Sequence, residues 1–249
     1  MSDTVIIIPA RYGSTRFPGK PLAMLCGKPI IQHVYERANS VIQDTYVATD
    51  DERILKQVED FGGKAIMTRS DHRSGTDRCR EALSKIGLDK YDIVINVQGD
   101  EPFIHPSQIT ALQDCFDNPG TQIATLAKPF DQDASDDAVL NPNCVKVVIG
   151  KDNQALYFSR SAIPYARNPI VQPYYKHLGI YGYRAEVLSE ITNLEQTPLE
   201  IAESLEQLRW LENGYHITVG ITNRETIGID TPDDLTRAEQ QLKHNITNK

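Results

Sequence analysis

Three cations, Arg11, Arg16 and Lys20, fall close together in the stretch Ile8–Leu22, IPARYGSTRFPGKPL. Gly13 and Gly19 in the same stretch allow close backbone approach and unusual dihedrals, so amides and fixed charges can converge on an anion. Lys20 offers a point charge and Arg11 a fork that suits bidentate phosphate contact. The loop is not a Walker A, because five residues rather than four separate Gly13 from Gly19 and Pro21 stands where Ser or Thr would ligand Mg²⁺. The dinucleotide fingerprint G-x-G-x-x-G is absent from it as well. A solvated basic loop with turn glycines is the plain alternative. Its place directly after the apolar run Val5–Ile8 favours a phosphate site.

A second stretch, Gln98-Gly99-Asp100-Glu101-Pro102, follows another apolar run, Ile93–Val97. An acid at such a strand end is placed to hold a divalent cation, and Mg²⁺ takes one or two carboxylates together with phosphate oxygens. Asp230 follows the strand-like Thr226–Ile229 and could supply a second carboxylate; by spacing alone it serves equally well as a helix cap. In YVATDD, Asp50 and Asp51 read as a cap for the helix beginning at Glu52.

The elements that must position these residues alternate through the first half. Strands are predicted at Thr4–Pro9, Thr45–Ala48, Lys64–Thr68 and Asp92–Val97, and helices at Pro29–Val41, Asp51–Phe61, Thr76–Ile86 and Pro106–Phe116. This order implies an α/β fold with a Rossmann-like, doubly wound, mostly parallel sheet, whose ligands bind beyond the C-terminal strand ends. All the stretches above lie at those ends. After about Gln122 strand-like runs recur at Ile123–Ala127, Val145–Ile149, Leu156–Ser159 and Leu178–Tyr183 without regular helices between them, which suggests an antiparallel, strand-rich second lobe. Asp131–Asp137 reads as an acidic solvated loop and Arg167–Pro173 as a Pro-rich polar one. Pro198–Leu211 is predicted as one helix with Ile201, Leu205 and Leu208 on a common face, Ile217–Ile221 as a strand, and Thr231 as the cap of a final helix with Pro232 at its first position. The chain reads as a single domain over 1–249: a first half to about 120, a lobe over about 121–225, and 226–249 returning to the first half.

Composition narrows the partners. A net charge of −8 argues against broad nucleic-acid binding, which needs a basic face. No apolar stretch is long enough to span a bilayer, and the N-terminus lacks a basic region before its short apolar run, so neither membrane insertion nor secretion is expected. The cysteines, Cys26, Cys79, Cys115 and Cys144, are far apart and unpaired in CxxC form, as reduced thiols of a cytoplasmic protein would be.

Taken together, IIIPARYGSTRFPGKPL, YVATDDERI, MTRSDHRSGTDR, VINVQGDEPFI, NPNCVKVV, ALYFSRSAIP, HLGIYGYR, LEQLRWLENG and IGIDTPDDL make the chain resemble the 3-deoxy-manno-octulosonate (Kdo) cytidylyltransferases, the CMP-Kdo synthetase family, nearly end to end. The opening loop type is shared by many sugar nucleotidyltransferases, whereas VQGDEP, HLGIYGYR and LEQLR are more specific. The resemblance implies the nucleotide-diphospho-sugar transferase type of fold, with a nucleotide-binding first half and a lobe for the sugar acid and for homodimer formation. It implies that CTP and Kdo give CMP-Kdo and diphosphate, with Mg²⁺ as cofactor, for lipopolysaccharide assembly. It places Ala10, Arg11, Gly13, Ser14 and Lys20 on the CTP phosphates, and Arg73, Ser74 and Gly75 by the cytosine and ribose. Gln98 and Asp100 go to the reacting centre with Lys20 and Arg11, and Asp100 with Asp230 to the metal. Arg160, His177, Tyr181, Glu206 and Gln207 are implied to hold the sugar acid. From the residues alone, His177 serves equally as a core histidine, Tyr181 and Tyr183 as strand packing, and Glu206 and Gln207 as a solvated helix face.

Overall fold

The computed structural model describes residues 3–130, 136–168, 174–225 and 228–247. The chain divides into two compact units, one formed by Met1–Ile109 with Thr226–Lys249 and the other by Thr110–Glu225. The first unit begins with β1 (Thr4–Ala10), a single 3-10 turn at Lys20–Leu22, and a small ribbon of β2 (Met24–Leu25) and β3 (Lys28–Pro29). It continues with α1 (Ile30–Asn39), β4 (Thr45–Thr49), α2 (Glu52–Asp60), β5 (Ala65–Met67), α3 (Gly75–Ile86), β6 (Ile93–Asn96) and α4 (Pro106–Asp114), which spans the boundary at Ile109.

Its sheet runs β6-β1-β4-β5 with every pair parallel. Val5, Ile6, Ile7 and Ile8 are fully buried, as a strand covered on both faces requires. Helix α1 turns Ile30, Ile31, Val34 and Ala38 inward. Asp51 caps α2 by accepting from the Arg53 amide at 2.9 Å, as expected for YVATDD. Ser74 and Asp77 form a reciprocal capping box on α3, each side chain accepting from the other's backbone amide. The ribbon was not expected. Its signal is Cys26-Gly27, whose φ values of 47° and 86° are those of a tight hairpin turn.

The second unit contains β7 (Ile123–Pro129), α5 (Asp136–Leu140), β8 (Lys146–Ile149), β9 (Ala155–Ser159), β10 (Tyr175–Arg184), α6 (Ala185–Ile191), α7 (Pro198–Glu203), α8 (Glu206–Glu212) and β11 (Ile217–Ile221). Strand β10 is antiparallel to β7 and β8, and β9 is antiparallel to β8. The lobe is not wholly antiparallel, since β11 runs parallel to β7. Nor are those strand runs free of helices between them: α5, between β7 and β8, takes Asp136 and Asp137 out of the expected acidic loop. Helix α6 follows β10, after the last of those runs. The rest of that loop (131–135) and most of the Pro-rich one (169–173) lie outside the described residues.

The single helix expected at Pro198–Leu211 is two. Ser204 closes α7 in the left-handed region (φ 51°), and Leu205 is extended before α8 begins. Ile201 therefore does not share an inner face; it is 64% exposed while Leu205 and Leu208 are buried. The break has a physical return. It frees the carbonyls of Glu203 and Ser204, which accept from Arg160 Nε at 2.7 Å and Nη2 at 3.3 Å.

The chain finally re-enters the first unit with Thr226–Lys249, which carries α9 (Pro232–Thr247). Thr231 caps it as expected, its Oγ1 accepting from the Asp234 amide at 3.2 Å. Of the strand expected at Thr226–Ile229, 226–227 lie outside the described residues, and Gly228 and Ile229 belong to no strand. Ile229 instead donates its amide to the Asp100 carbonyl at 2.9 Å and is buried with Leu25, Ile30 and Ala238.

Candidate active site

Parallel pairing puts the C-terminal ends of β1, β4 and β6 on one edge of the first unit's sheet. A cleft of ≈ 300 Å³ opens there, lined by Ala10, Arg11, Ser14 and Lys20 from the opening loop and by Arg73, Ser74 and Gly75 at the start of α3. Gln98 and Asp100 line it from the end of β6, and Asp230 from the returning segment. Ten of the expected site residues thus meet in one place. Gly13 does not line the cleft, its φ is not positive, and a Cβ there would meet nothing within 4 Å, so the expected special role for its backbone is not borne out.

Two other glycines have firm reasons. Gly19 sits at φ 71°, in the left-handed region, at the entry to the Lys20 turn. At Gly99 a Cβ would lie 2.8 Å from the Pro9 carbonyl oxygen, so only glycine lets the ends of β6 and β1 approach. That approach carries Asp100 into the cleft. The Ile229–Asp100 backbone bond then brings Asp230 beside it.

Lys20 is the centre of the charge arrangement. Its ammonium donates to Asp100 Oδ2 at 2.6 Å and to Asp230 Oδ1 at 3.3 Å, and its side chain is only 12% exposed. Arg16 pairs with the other Asp230 oxygen at 3.2 Å. Two carboxylates flanking one cation form a donor set that fits Mg²⁺, which takes one or two carboxylates and completes its shell with phosphate oxygens and water. Among the described residues no group of three or more His, Cys, Asp or Glu could enclose a metal unaided. The rest of the shell would have to come from substrate and solvent.

Residues not assigned from sequence complete the lining. Arg78, almost fully buried on α3, donates to Asp50 Oδ2 at 2.9 Å and to Thr68 Oγ1 at 2.6 Å, tying the ends of β4 and β5 to α3. His72 lines the cleft and bonds to Glu81. Burial pushes the Glu81 carboxyl up, but donors from Lys85, the Arg69 amide and His72 outweigh it and hold the carboxyl down at about 2. The signal was present in SDHRSGTDR, where basic residues crowd a helix start.

None of the five residues expected at the sugar acid lines this cleft; all belong to the second unit. Strand β10 changes register between His177 and Tyr181, with Gly179 at φ 68°, and such an irregularity re-aims side chains. The His177 ring lies 4.9 Å from Phe158 and 5.3 Å from Tyr181, and its Nε2 is 3.0 Å from Thr125 Oγ1. Burial among these groups pushes its pKa down to about 3, so it is a neutral imidazole at ordinary pH. Tyr181 packs edge-on against Trp210 at 5.1 Å. Burial, then the charges of Tyr183 and Glu206, raise its hydroxyl pKa.

Gln207 is 5% exposed, which rules out the solvated face as its surroundings. Its Nε2, the Tyr181 hydroxyl and the Trp210 indole nitrogen are buried with no hydrogen-bond partner among the described residues. Orphaned donors of this kind, clustered on β10 and α8, are what a polar ligand would satisfy. Glu206 accepts from Arg209 at 3.0 Å. Arg160 gives three N–H groups to the carbonyls of Glu203, Pro142 and Ser204. Of the five N–H groups a guanidinium carries, two have no partner among the described residues.

Comparison with known proteins gives the family. The cytidylyltransferase family model matches residues 5–222. A 3-deoxy-manno-octulosonate cytidylyltransferase from Phocaeicola vulgatus is 61% identical, over 95% of this chain and 96% of its own length. The chain belongs to the 3-deoxy-manno-octulosonate cytidylyltransferase family. Within the same range of similarity, an 8-amino-3,8-dideoxy-manno-octulosonate cytidylyltransferase from a Shewanella strain is 48% identical over 96% of this chain and 98% of its own. A solved CMP:2-keto-3-deoxy-manno-octonic acid synthetase in complex with CTP superposes with a TM-score of 0.91 at 47% identity, covering 98% of this chain and all of the other. The α/β fold with its mostly parallel sheet and antiparallel strands is therefore that of a cytidylyltransferase.

Proposed function

We propose that the chain transfers a cytidylyl group from CTP to Kdo, giving CMP-Kdo and diphosphate for lipopolysaccharide assembly. The observation that carries this reading is the meeting of Lys20, Asp100 and Asp230 in a cleft that Arg11, Ser14, Arg73 and Ser74 also line. In it, Arg11, Ser14 and Lys20 bind the triphosphate, and Arg73, Ser74 and Gly75 the nucleoside. Gln98, whose amide donates to Asn96 Oδ1 at 3.3 Å, stands at the reacting phosphorus. The anomeric hydroxyl of the sugar acid attacks the α-phosphorus in line and gives up its proton to solvent, the bond to the β-phosphate oxygen breaks, and diphosphate leaves. Asp100 and Asp230 hold Mg²⁺, which when bound supplies neutralisation of the phosphate charge. Most of the catalysis then lies in positioning two anions and stabilising developing charge.

The sugar acid falls to the second unit. Arg160 takes its carboxylate, and Tyr181, Gln207, Glu206 and His177 its hydroxyls, which gives the orphaned donors of β10 and α8 their partners. The higher identity to Kdo-named relatives than to the 8-amino-named one favours the 8-hydroxyl sugar. The reading extends, on family resemblance, to a homodimer in the cytoplasm. No helix among the described residues is long and apolar enough to cross a membrane, and all four cysteines are free.

The deciding experiment is diphosphate release with each nucleoside triphosphate and a panel of 2-keto sugar acids that includes Kdo and its 8-amino analogue. Release that requires CTP and Kdo together supports the reading. Release independent of the sugar acid, or faster with the 8-amino analogue, overturns it, and sedimentation gives the oligomeric state.

A further inference from the structure

The opening loop has an anchor that the reading above does not use. The Tyr12 carbonyl accepts from the Ser14 amide at 3.0 Å and from the Gly19 amide at 2.9 Å, closing the loop on itself. The Tyr12 ring lies against Gly19 so closely that a Cβ there would sit 3.0 Å from its Cε2. Over the ring stands the guanidinium of Arg53, with Cζ 3.4 Å from the centroid. Arg53 is itself held by Asp51, through Nε at 3.0 Å and Nη2 at 2.7 Å, and Asp51 is the cap of α2. A contiguous stack therefore runs from the start of α2 through Arg53 and Tyr12 to Gly19, and the residue after Gly19 is Lys20.

We infer that Tyr12 and Arg53 are positioning residues that hold the phosphate loop in its binding shape before nucleotide arrives. The physical argument is one of preorganisation. Gly19 has a wide choice of backbone conformation, and an unrestrained loop would lose that freedom on binding. A cation over an aromatic face, fixed by a bidentate carboxylate, removes the freedom in advance. Neither side chain lines the cleft, so both act through the loop and not on the substrate. The inference rests on the loop holding the nucleotide phosphates.

The test uses Tyr12→Leu, Arg53→Gln, their combination and Tyr12→Phe in the full chain. Two readouts are taken: amide hydrogen exchange across Arg11–Lys20 without nucleotide, and KM and kcat for CTP. Tyr12→Leu and Arg53→Gln should each quicken exchange and raise KM for CTP roughly five- to tenfold, with kcat and the KM for Kdo little changed. The double variant should be no worse than Tyr12→Leu alone, because both remove one stack. Tyr12→Phe keeps the ring over Gly19 but gives up the hydroxyl's interaction with Arg53, and should fall between the wild type and Tyr12→Leu. Unchanged exchange in Tyr12→Leu and Arg53→Gln, or effects that multiply in the double variant, would overturn the stack. Quicker exchange with an unmoved KM for CTP would instead overturn the assignment of the loop to the nucleotide. Arg53 is largely exposed, so its variant folds even where loss of the Tyr12 ring disturbs packing.

Discussion

Lys20 and Gln207 show what single residues contribute and how far each could be read in advance. The position of Lys20 after a glycine loop marked it as a cation for phosphate, but not that it would lie between two carboxylates. Lys20→Met should lower kcat/KM for CTP by roughly a hundredfold, the usual loss for one preorganised charge donor. It should also destabilise the fold by about 1 kcal/mol, since Asp100 and Asp230 then face each other with solvent as their only screen besides Arg16. Steady-state kinetics and thermal melting separate the two effects, and an unaltered kcat/KM would remove Lys20 from the mechanism. In excess EDTA turnover should stop and return with Mg²⁺; full turnover there would dismiss Asp100 and Asp230 as ligands. Gln207 lies on a helix where spacing alone fitted a solvated face, and only its burial decides otherwise. Gln207→Ala should raise KM for the sugar acid and leave that for CTP alone. One hydrogen bond to an uncharged hydroxyl is worth ~0.5–1.5 kcal/mol, or roughly two- to tenfold. An unmoved sugar-acid constant would return α8 to a purely structural part.

At the scale of elements, regular parallel strands and their helices were legible because burial on both faces writes continuous apolar runs, as in Val5–Ile8. The irregular pieces were not. The break at Ser204 leaves no trace in hydrophobic spacing, because Leu205 and Leu208 keep helical separation although Leu205 is extended. What stabilises the break is distant in sequence, namely Arg160 on the freed carbonyls. A non-glycine residue in the left-handed region costs about 1 kcal/mol. Ser204→Gly should therefore raise the melting temperature with no loss of activity, and a lowered one would show that the serine side chain stabilises the turn. The register change in β10 escaped notice for the same reason: Gly179 within HLGIYGYR reads as an ordinary strand glycine until its φ is known.

For the whole molecule the acid side of the stability curve carries a signature. The pKa of His177 falls from near 6.5 in the unfolded chain to about 3 in the folded one. Between those values the unfolded chain binds a proton that the folded chain refuses. Its contribution is complete above the unfolded pKa and declines as pH drops from there toward 3. His177→Asn should make the fall in melting temperature between about pH 7 and pH 5 shallower than in the wild type; parallel curves would contradict the enclosed imidazole. Composition and motif could name the family and the first cleft at this scale. The cleft's last carboxylate lies on the returning segment expected from sequence, separated from the rest of its unit by all of Thr110–Glu225. What spacing left open was whether Asp230 meets Asp100 or only caps a helix.

That discontinuity bears on how the protein is made. A ribosome delivers β1 to β6 long before Ile229, so Leu25 and Ile30 wait without the side chains that later cover them. Asp100 waits likewise for Asp230, and the closing contact spans a long loop whose ordering grows costlier with length. The nascent chain is thus unable to bring Asp230 beside Asp100 and Lys20 until residue 230 has emerged, so this charge cluster is a late product of synthesis. A chain stopped at Glu225 should bind an apolar dye and lack diphosphate release, and addition of a peptide covering 226–249 should reduce the dye signal. A truncated chain that stays silent to the dye would mean that Leu25 and Ile30 find other cover before the last segment arrives.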